Sequence, residues 1–494
     1  ALHPQRASAR MLRAFGRIPG PAGSPMRLLS VFASVVLLLA VPGRDVSAAG
    51  HGSPQPWQER LPMIPAEDLQ RDVDVLETTY DALHPGLHRY LDETGSDALY
   101  AALRQRFSGP VRLDEAHLAS FAFAARIRCG HTYTNFFNQS ESVQQALFRH
   151  PRLPFLFRWI DGGMVVTRDL GSGADLKPGT RIVALDGVRT RTLLAALMPH
   201  ARADGGNDHK RVAYLQRVGG TRYEAFDIYY PLLYPEAVAD TARIRFIAPG
   251  GRRTQTATIR KLAYSAEPPP MQAAVASTDS PLGWTLTYPR PGIALMRMSD
   301  WAAYKHPGFD WQAHVDRAFE TFATQNVREL VVDLRGNEGG DNVGSALLSH
   351  MIDAPLAPAI ASRSVRYRRV PDALRPNLST WDQSFYDWAD AAQGPENGFY
   401  RLIKYDTSEA GIAIAPKPPR FSGRVWVVVG PDNSSATFEF AQAVQLRKLG
   451  MLVGEPTGGN QRGINGGAFL FMTLPGSGIE LDVPLIAQFP ATPM

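Results

Sequence analysis

The sequence has little cysteine and few long apolar runs. Cys129 is its single cysteine, so the chain cannot form an internal disulfide. The apolar run from Leu28 to Val41 is too short to cross a bilayer, and no later stretch approaches the required length. We therefore expect no internal disulfide and no membrane span.

The composition is that of an ordinary globular protein, with 44% hydrophobic and 20% charged residues among 494. It excludes a disordered or fibrous chain, and the length predicts roughly two to four domains. The net charge of +5 comes entirely from the first 48 residues, where one acid, Asp45, opposes six arginines: Arg6, Arg10, Arg13, Arg17, Arg27 and Arg44. The remainder is neutral, so the charge does not indicate a nucleic-acid partner.

The first 48 residues are typical of a leader. From Met26 onward, a charged start, a short apolar run and the small residues before Ala48 match a secretory signal peptide. The preceding residues 1–25 start without Met and are rich in Arg, Pro and Ala, which indicates an over-extended reading frame. We expect residues 1–48 to be leader and signal peptide, and the protein to be exported, periplasmic or secreted.

Residues 49–150 are predicted to form an N-terminal helical domain. Apolar residues recur at helical spacing before the breaker pair Pro85-Gly86. A later helix starting near Asp114 is predicted to end at Gly130, which would place His131 on the following loop.

Residues 151–265 show strand patterns separated by glycine turns, which predicts a β-domain. The segment Pro178–Gly187 resembles the corresponding part of a PDZ-like module. An insertion at residues 203–240 has no counterpart in a minimal module. No peptide-carboxylate-binding loop is convincing here, so recognition of peptide tails stays open.

Residues 271–494 alternate strand and helix patterns, which predicts an α/β core. Residues 329–334 form a buried strand pattern that ends in a glycine-rich loop, and residues 425–429 are a second one. An insertion at about 354–420, rich in Pro, Arg and aromatic residues, interrupts this core. It fits a lid or substrate rim and equally an ordinary surface loop.

Three separate pieces of the chain could cooperate chemically. Ser435 follows a strand and opens a helix, where a hydroxyl would lie beside free helix N–H groups. Gly339 and Gly340 can expose backbone N–H groups, and His131 can act as a base near neutral pH. Taken alone, Ser435 is better explained as a helix cap, the two glycines as a turn and His131 as a solvated loop residue.

The combination resembles the carboxyl-terminal processing (tail-specific) protease family and its tricorn-like relatives. The resemblance rests on residues 331–340, 435–441 and 452–459, in that order, with Gly130-His131-Thr132. It implies a crotonase/Clp-protease-like core and a serine endopeptidase that acts on peptides or unfolded proteins without metal or cofactor. It implies Ser435 as nucleophile, and an oxyanion hole from the N–H of Ala436 with that of Gly339 or Gly340.

The chain also departs from the family pattern. Asn460 stands at the lysine position of the Ser-Lys branch, and Lys448 lies inside a predicted helix. His131 matches the Ser-His arrangement of the tricorn-like branch instead. The acidic partner of that branch is expected beyond Met494, because Glu480 and Asp482 lie on a predicted strand. Phe438 replaces the acid that the family has three residues after the nucleophile, and Glu439 comes one position later.

Two alternatives stay open at the sequence level. The same scaffold could bind peptides or another ligand without catalysis, since the lysine is missing and the glutamate displaced. Cys129 could be the nucleophile beside His131, but side chains two apart rarely face each other and a cysteine at a helix end is usually buried. The sequence does not indicate the oligomeric state.

Overall fold

The structure is a computed structural model that describes residues 54–265, 280–357, 360–405 and 413–490. The predicted leader and its apolar run lie outside these ranges. Within them, no helix combines the length and the apolar character that a membrane crossing requires.

Residues 54–150 are mainly helical, with one short antiparallel strand pair. The apolar residues that predicted the first helix, from Leu69 to Leu83, are buried. The elements are β1 (Met63–Ile64), α1 (Ala66–Leu83), α2 (Glu93–Arg106), β2 (Val111–Arg112), α3 (Leu113–Ile127) and α4 (Glu141–Leu147).

Residues 151–265 form an antiparallel sheet in the order β3-β4-β5-β7-β8, with β6 paired to β5. Three helices accompany it, two of them inside the 203–240 insertion. The elements are β3 (Phe155–Ile160), β4 (Gly163–Asp169), β5 (Arg181–Leu185), β6 (Val188–Arg189), α5 (Thr190–Leu197), α6 (Asp208–Tyr214), α7 (Ala225–Leu233), β7 (Thr241–Ile247) and β8 (Thr254–Arg260).

Arg217 anchors the insertion to this sheet. Its side chain is 1% exposed, and its Nη1 donates to the carbonyl oxygens of Leu153 and Phe155, each at 2.9 Å. Its Nε lies 3.0 Å from one oxygen of Asp227, which is also buried. A buried arginine needs such partners because desolvation of a lone charge is costly. The insertion is therefore a fixed part of the fold.

The expected α/β core is present and confirms the α/β class. Its sheet has the order β17-β16-β11-β10-β9, parallel except for the pairing of β9 with β10. The elements are β9 (Thr285–Arg290), β10 (Ile293–Arg297), α8 (Trp311–Thr324), β11 (Glu329–Asp333), α9 (Val343–Ser349), β16 (Arg424–Val429), α10 (Ser435–Leu446) and β17 (Met451–Gly454).

A further antiparallel sheet was not predicted. It has the order β13-β18-β19-β12-β15-β14 and joins strands of the 354–420 insertion to the last strands described. Ser362, for example, lies opposite Phe489. The elements are β12 (Ile360–Val365), β13 (Leu378–Ser379), β14 (Ala392–Glu396), β15 (Phe399–Leu402), β18 (Ile464–Thr473) and β19 (Glu480–Pro490).

Buried apolar side chains form two groups. One contains residues of the parallel sheet and its helices, such as Val427 and Phe440. The other contains residues of the N-terminal helices, the 151–265 sheet and the sheet of β18 and β19, such as Tyr80 and Leu470. The insertion at 354–420 therefore contributes to a core, and is more than a surface loop.

We expect Asp227→Ala to destabilise the protein by about 3 kcal/mol, because it removes the carboxylate nearest the buried Arg217 guanidinium and leaves only the more distant Glu224, at 3.7 Å. Urea unfolding followed by tryptophan fluorescence measures this change. Asp390→Ala removes the partner of Arg368 at a fully exposed site and should leave the unfolding midpoint unchanged. Equal midpoints for the two variants would contradict the anchoring role of Arg217.

Candidate active site

A turn at the carboxyl end of β16 presents the candidate nucleophile. Asn433 holds this turn: its Oδ1 accepts the N–H of Gly430 at 2.8 Å, and its Nδ2 donates to the carbonyl oxygens of Leu334 and Asn337 at 2.6 and 2.9 Å. The side chain is fully buried. The serine turn is thereby fastened to the glycine-rich loop after β11.

Ser435 begins α10 in a strained conformation. Its φ is 51°, in the left-handed region that a residue with a side chain seldom adopts. Ser434, at the N-cap position, makes no side-chain capping bond, and its Oγ lies 3.2 Å from the carbonyl oxygen of Glu338. The simple helix-cap explanation therefore fails for Ser434, and strain of this kind concentrates at functional sites.

The glycine loop lies directly against Ser435. A Cβ added at Gly339, whose φ is 111°, would lie 2.9 Å from the Cβ of Ser435 and 3.1 Å from the N of Ala436. Gly340 has a φ of 139° and packs on the backbone of Trp301, where a Cβ would also clash. Only glycine permits this approach at both positions.

The two glycines differ in what their N–H groups can do. The N–H of Gly339 donates to Oδ1 of the buried Asn337 at 2.9 Å. The hydrogen bonds among the described residues include no acceptor for the N–H of Gly340. Ala436 lies in the first turn of α10, where a helix has no internal acceptor for its N–H. Gly340 and Ala436 are therefore the better-placed pair of donors.

His131 lies on the loop after α3, but Gly130 does not end that helix as predicted. The helix ends at Ile127, and Arg128 adopts the left-handed conformation with φ 60°. Gly130 serves another purpose, because its N–H donates to Oδ1 of Asp204 at 2.8 Å and its carbonyl accepts from Arg202 at 2.5 Å. On the far side of His131, Thr132 Oγ1 lies 2.7 Å from Nε2 of the buried His84.

The His131 ring is half-buried beside β18. It lies within 3.7 Å of the position that a Cβ would occupy at Gly466, and its centroid is 5.9 Å from that of Phe469. Its Nδ1 is buried and has no hydrogen-bond partner among the described residues. Burial lowers the pKa of His131 below its usual value, and nearby Arg202 and Lys210 lower it further, whereas Asp204 and Glu338 oppose them.

The His131 loop and the glycine loop are linked by Arg202, which donates to the Gly130 carbonyl and lies 4.0 Å from Oε2 of Glu338, the residue before Gly339. Among the described residues no hydrogen bond joins His131 to Ser435. Hydrogen bonds of this kind are often long in unliganded enzymes and shorten when substrate binds.

Sequence analysis missed Lys210, which reaches the site from α6. Its Nζ lies 2.6 Å from Oε1 of Glu338 and 3.1 Å from the carbonyl oxygen of Asp432, and its side chain is 8% exposed. Lys210 holds the pKa of Glu338 at about 2. No local motif marks this lysine, because it belongs to the insertion at 203–240.

The other residues that sequence analysis considered as base or acid make contacts elsewhere in the fold. Lys448 was predicted to lie inside the helix, but α10 ends at Leu446 and Lys448 is exposed beyond it. Asn460 packs against Gly205. Asp482 accepts hydrogen bonds from Asn135 Nδ2 at 3.0 Å and from Asn138 Nδ2 at 3.2 Å. Its carboxyl group therefore holds the 135–138 loop. Burial raises the pKa of Asp482 to about 7, and that of Glu480 also to about 7.

Glu439 lies one turn after Ser435 in α10, and burial raises its pKa to about 7. Cys129 is 3% exposed, its Sγ lies 3.3 Å from Asn465 Nδ2, and burial raises the pKa of its thiol. A buried, protonated thiol is a poor nucleophile, which argues against the cysteine alternative.

Within the described ranges, no three His, Cys, Asp or Glu side chains come together in a way that could hold a metal ion. Backbone N–H donors lie beside the Ser435 hydroxyl, and the His131 imidazole lies on the loop that Arg202 links to Glu338. This set is suited to acyl transfer.

Comparisons with known proteins agree with this chemistry. The family model described as Peptidase family S41 matches residues 292–483. Mature CPAF complexed with lactacystin is similar in structure, with a TM-score of 0.55 at 14% identity, over 85% of this chain and 90% of that chain. Mature CPAF gives a TM-score of 0.54 at 14% identity, over 85% and 89%.

The photosystem II D1 C-terminal processing protease covers 86% of this chain and 89% of its own at 15% identity, with a TM-score of 0.38. No curated protein matches the sequence significantly. The CPAF structures show a shared fold. The S41 family model matches residues 292–483, and the chain is a serine-type peptidase.

Proposed function

We propose that the protein is an exported endopeptidase that cleaves peptides or unfolded proteins with Ser435 as nucleophile and His131 as general base. The observation that carries the proposal is the contact between Ser435 and Gly339. It places a strained serine at a helix start directly against a loop with exposed backbone donors.

In the proposed mechanism, Ser435 Oγ attacks the scissile carbonyl carbon while His131 takes the hydroxyl proton. The N–H groups of Ala436 and Gly340 donate to the developing oxyanion, with Gly339 shaping the loop between them. His131 then gives the proton to the leaving amine, and water releases the acyl group from Ser435 by the same steps in reverse.

A Ser-His mechanism is better supported than a Ser-Lys mechanism. Lys210 is ion-paired with Glu338, and an ammonium has no lone pair with which to take a proton. A neutral His131 has such a lone pair, and it lies on the loop that Arg202 links to Glu338. A lowered pKa keeps its imidazole neutral and ready to accept a proton at pH 7.

Export, and a PDZ-like role for residues 151–265, are part of the proposal. Export rests on the leader pattern of residues 1–48, and the PDZ-like role rests on Pro178–Gly187. If that domain binds peptides, it would deliver substrate to Ser435. Deleting residues 26–48 and following the protein in cell fractions tests export.

We expect Ser435→Ala to lower kcat for hydrolysis of unfolded casein by about 10⁴-fold or more, because it removes the nucleophile. Ser434→Ala is the matched control, since the Ser434 hydroxyl contacts only backbone carbonyls, and it should lose less than about 10-fold. A phosphonate ester should label the wild-type protein and not Ser435→Ala. Full labelling of that variant would refute the assignment, and peptide binding without hydrolysis by wild type would support the non-catalytic alternative.

The acid limb of kcat/KM should lie below about pH 6.5, the usual pKa of histidine. Activity is expected to fall as the pH drops through the pKa of His131, since only the neutral imidazole accepts the serine proton. Burial lowers that pKa, so the limb moves toward lower pH. Tryptophan fluorescence must show a folded protein throughout the titration, and a limb above pH 6.5 would contradict His131 as the base.

Gly339→Ala should lower kcat about 10²- to 10³-fold, because the added methyl group would push on Ser435 and displace the oxyanion donors. Gly308→Ala provides the control, since nothing lies within 4 Å of the added methyl group. Thermal unfolding separates this loss from a loss of folding. Unchanged kcat in folded Gly339→Ala would show that the glycine loop does not shape the site.

A further inference from the structure

The segment from Arg202 to Lys210, here called the bracket, touches four loops around Ser435 and His131. Gly205 N–H donates to the Arg128 carbonyl at 2.9 Å, before the histidine. Asn207 Nδ2 donates to the carbonyls of Thr457 and Gly459 at 2.8 and 3.2 Å. The bracket belongs to the 203–240 insertion and its flank, which Arg217 anchors to β3.

At one end of the bracket, Asp204 holds the Cys129-Gly130 peptide, one residue before His131. The residue is 4% exposed, and its Oδ1 accepts the Gly130 N–H at 2.8 Å. Its Oδ2 lies 2.8 Å from the position of a Cβ at Gly130, so a larger residue there would displace the carboxylate. This contact accounts for the glycine before His131.

Arg202 continues the same support toward the glycine loop. Its Nη1 donates to the Gly130 carbonyl, and its guanidinium lies 4.0 Å from the ring centroid of Tyr133. Its Nη2 lies 4.0 Å from Oε2 of Glu338. The loop of His131 and the residue before Gly339 therefore share one arginine.

At the other end, Lys210 joins the glycine loop to the serine turn. Its Nζ binds both the Glu338 carboxylate and the Asp432 carbonyl. The Oγ of Ser434 lies within 3.3 Å of the carbonyls of the same two residues. A displacement of Lys210 would therefore move the backbone that contacts Ser434, the neighbour of Ser435.

We propose that the bracket positions both halves of the catalytic site, with Asp204 acting on His131 and Lys210 acting on the glycine loop and serine turn. Asp204 fixes the Cys129-Gly130 peptide, one residue before His131, and offers a negative charge to the imidazolium formed during catalysis. Lys210 fixes Glu338 and Asp432. The inference rests on the proposed Ser435–His131 mechanism.

The charges that face His131 make the proposal testable. Asp204 and Glu338 are negative, Arg202 and Lys210 are positive, and β18 presents the uncharged Gly466 and Phe469. His84, which contacts Thr132, is neutral because burial lowers its pKa to about 3. Removing an anion should lower the pKa of His131, and removing a cation should raise it.

Asp204→Asn and Lys210→Met should each lower kcat/KM about 10- to 100-fold through misplacement of the reacting groups. Their acid limbs should move in opposite directions, to lower pH for Asp204→Asn and to higher pH for Lys210→Met. Asp208→Asn, at an exposed carboxylate on the same segment, should change neither the rate nor the limb. Acid limbs of kcat/KM that stay in place, or that move in the same direction in both variants, would overturn the proposal. If Asp204→Asn does not fold, the acid limb of Lys210→Met alone tests it.

A second measurement separates this proposal from the proposed function. NMR titration of the His131 ring, assigned by its loss in His131→Asn, can be made in the Ser435→Ala protein. Asp204→Asn should lower the His131 pKa there and Lys210→Met should raise it, whereas Asp208→Asn should leave it unchanged. The expected shifts with no hydrolysis by wild type would support the bracket and refute the Ser-His peptidase, whereas no shifts with active wild type would refute the bracket alone.

Discussion

The ion pair between Lys210 and Glu338 is the interaction on which the candidate site most depends. His131 is carried by the part of the fold whose core includes the N-terminal helices, and Ser435 belongs to the parallel sheet with its own core. Lys210 reaches from the first part into the second and is nearly buried there. Burying an ammonium group without partners costs free energy. The contacts of Lys210 with Glu338 and the Asp432 carbonyl therefore fix the two parts relative to each other at this point.

The same charges set the state of the histidine. Burial and two cations keep the His131 imidazole neutral at rest, and two carboxylates lie close enough to oppose them. Glu338 is ionised at neutral pH, because Lys210 lowers its pKa to about 2. In the proposed mechanism, a site arranged in this way would accept a transient proton on His131 without rearranging its charged groups, which is the meaning of electrostatic preorganisation.

Buried amides hold the strained turn and loop where the chemistry is proposed. Ser435 and Gly339 both adopt positive φ. Asn433 and Asn337 bind the surrounding backbone with short hydrogen bonds, so the turn and the loop cannot relax independently. Such over-determination is what allows a strained conformation to persist in a folded protein.

The sequence by itself determined the α/β class, the strand-to-helix turn at Ser435 and the glycine loop, because each depends on residues that are neighbours along the chain. It placed His131 on a loop correctly, although Arg128 and not Gly130 ends the preceding helix. The tertiary structure alone decided the sheet that pairs Ser362 with Phe489, and the arrival of Asp204 and Lys210 at the site. These contacts join positions more than seventy residues apart, and no local pattern encodes which buried charge will meet which partner.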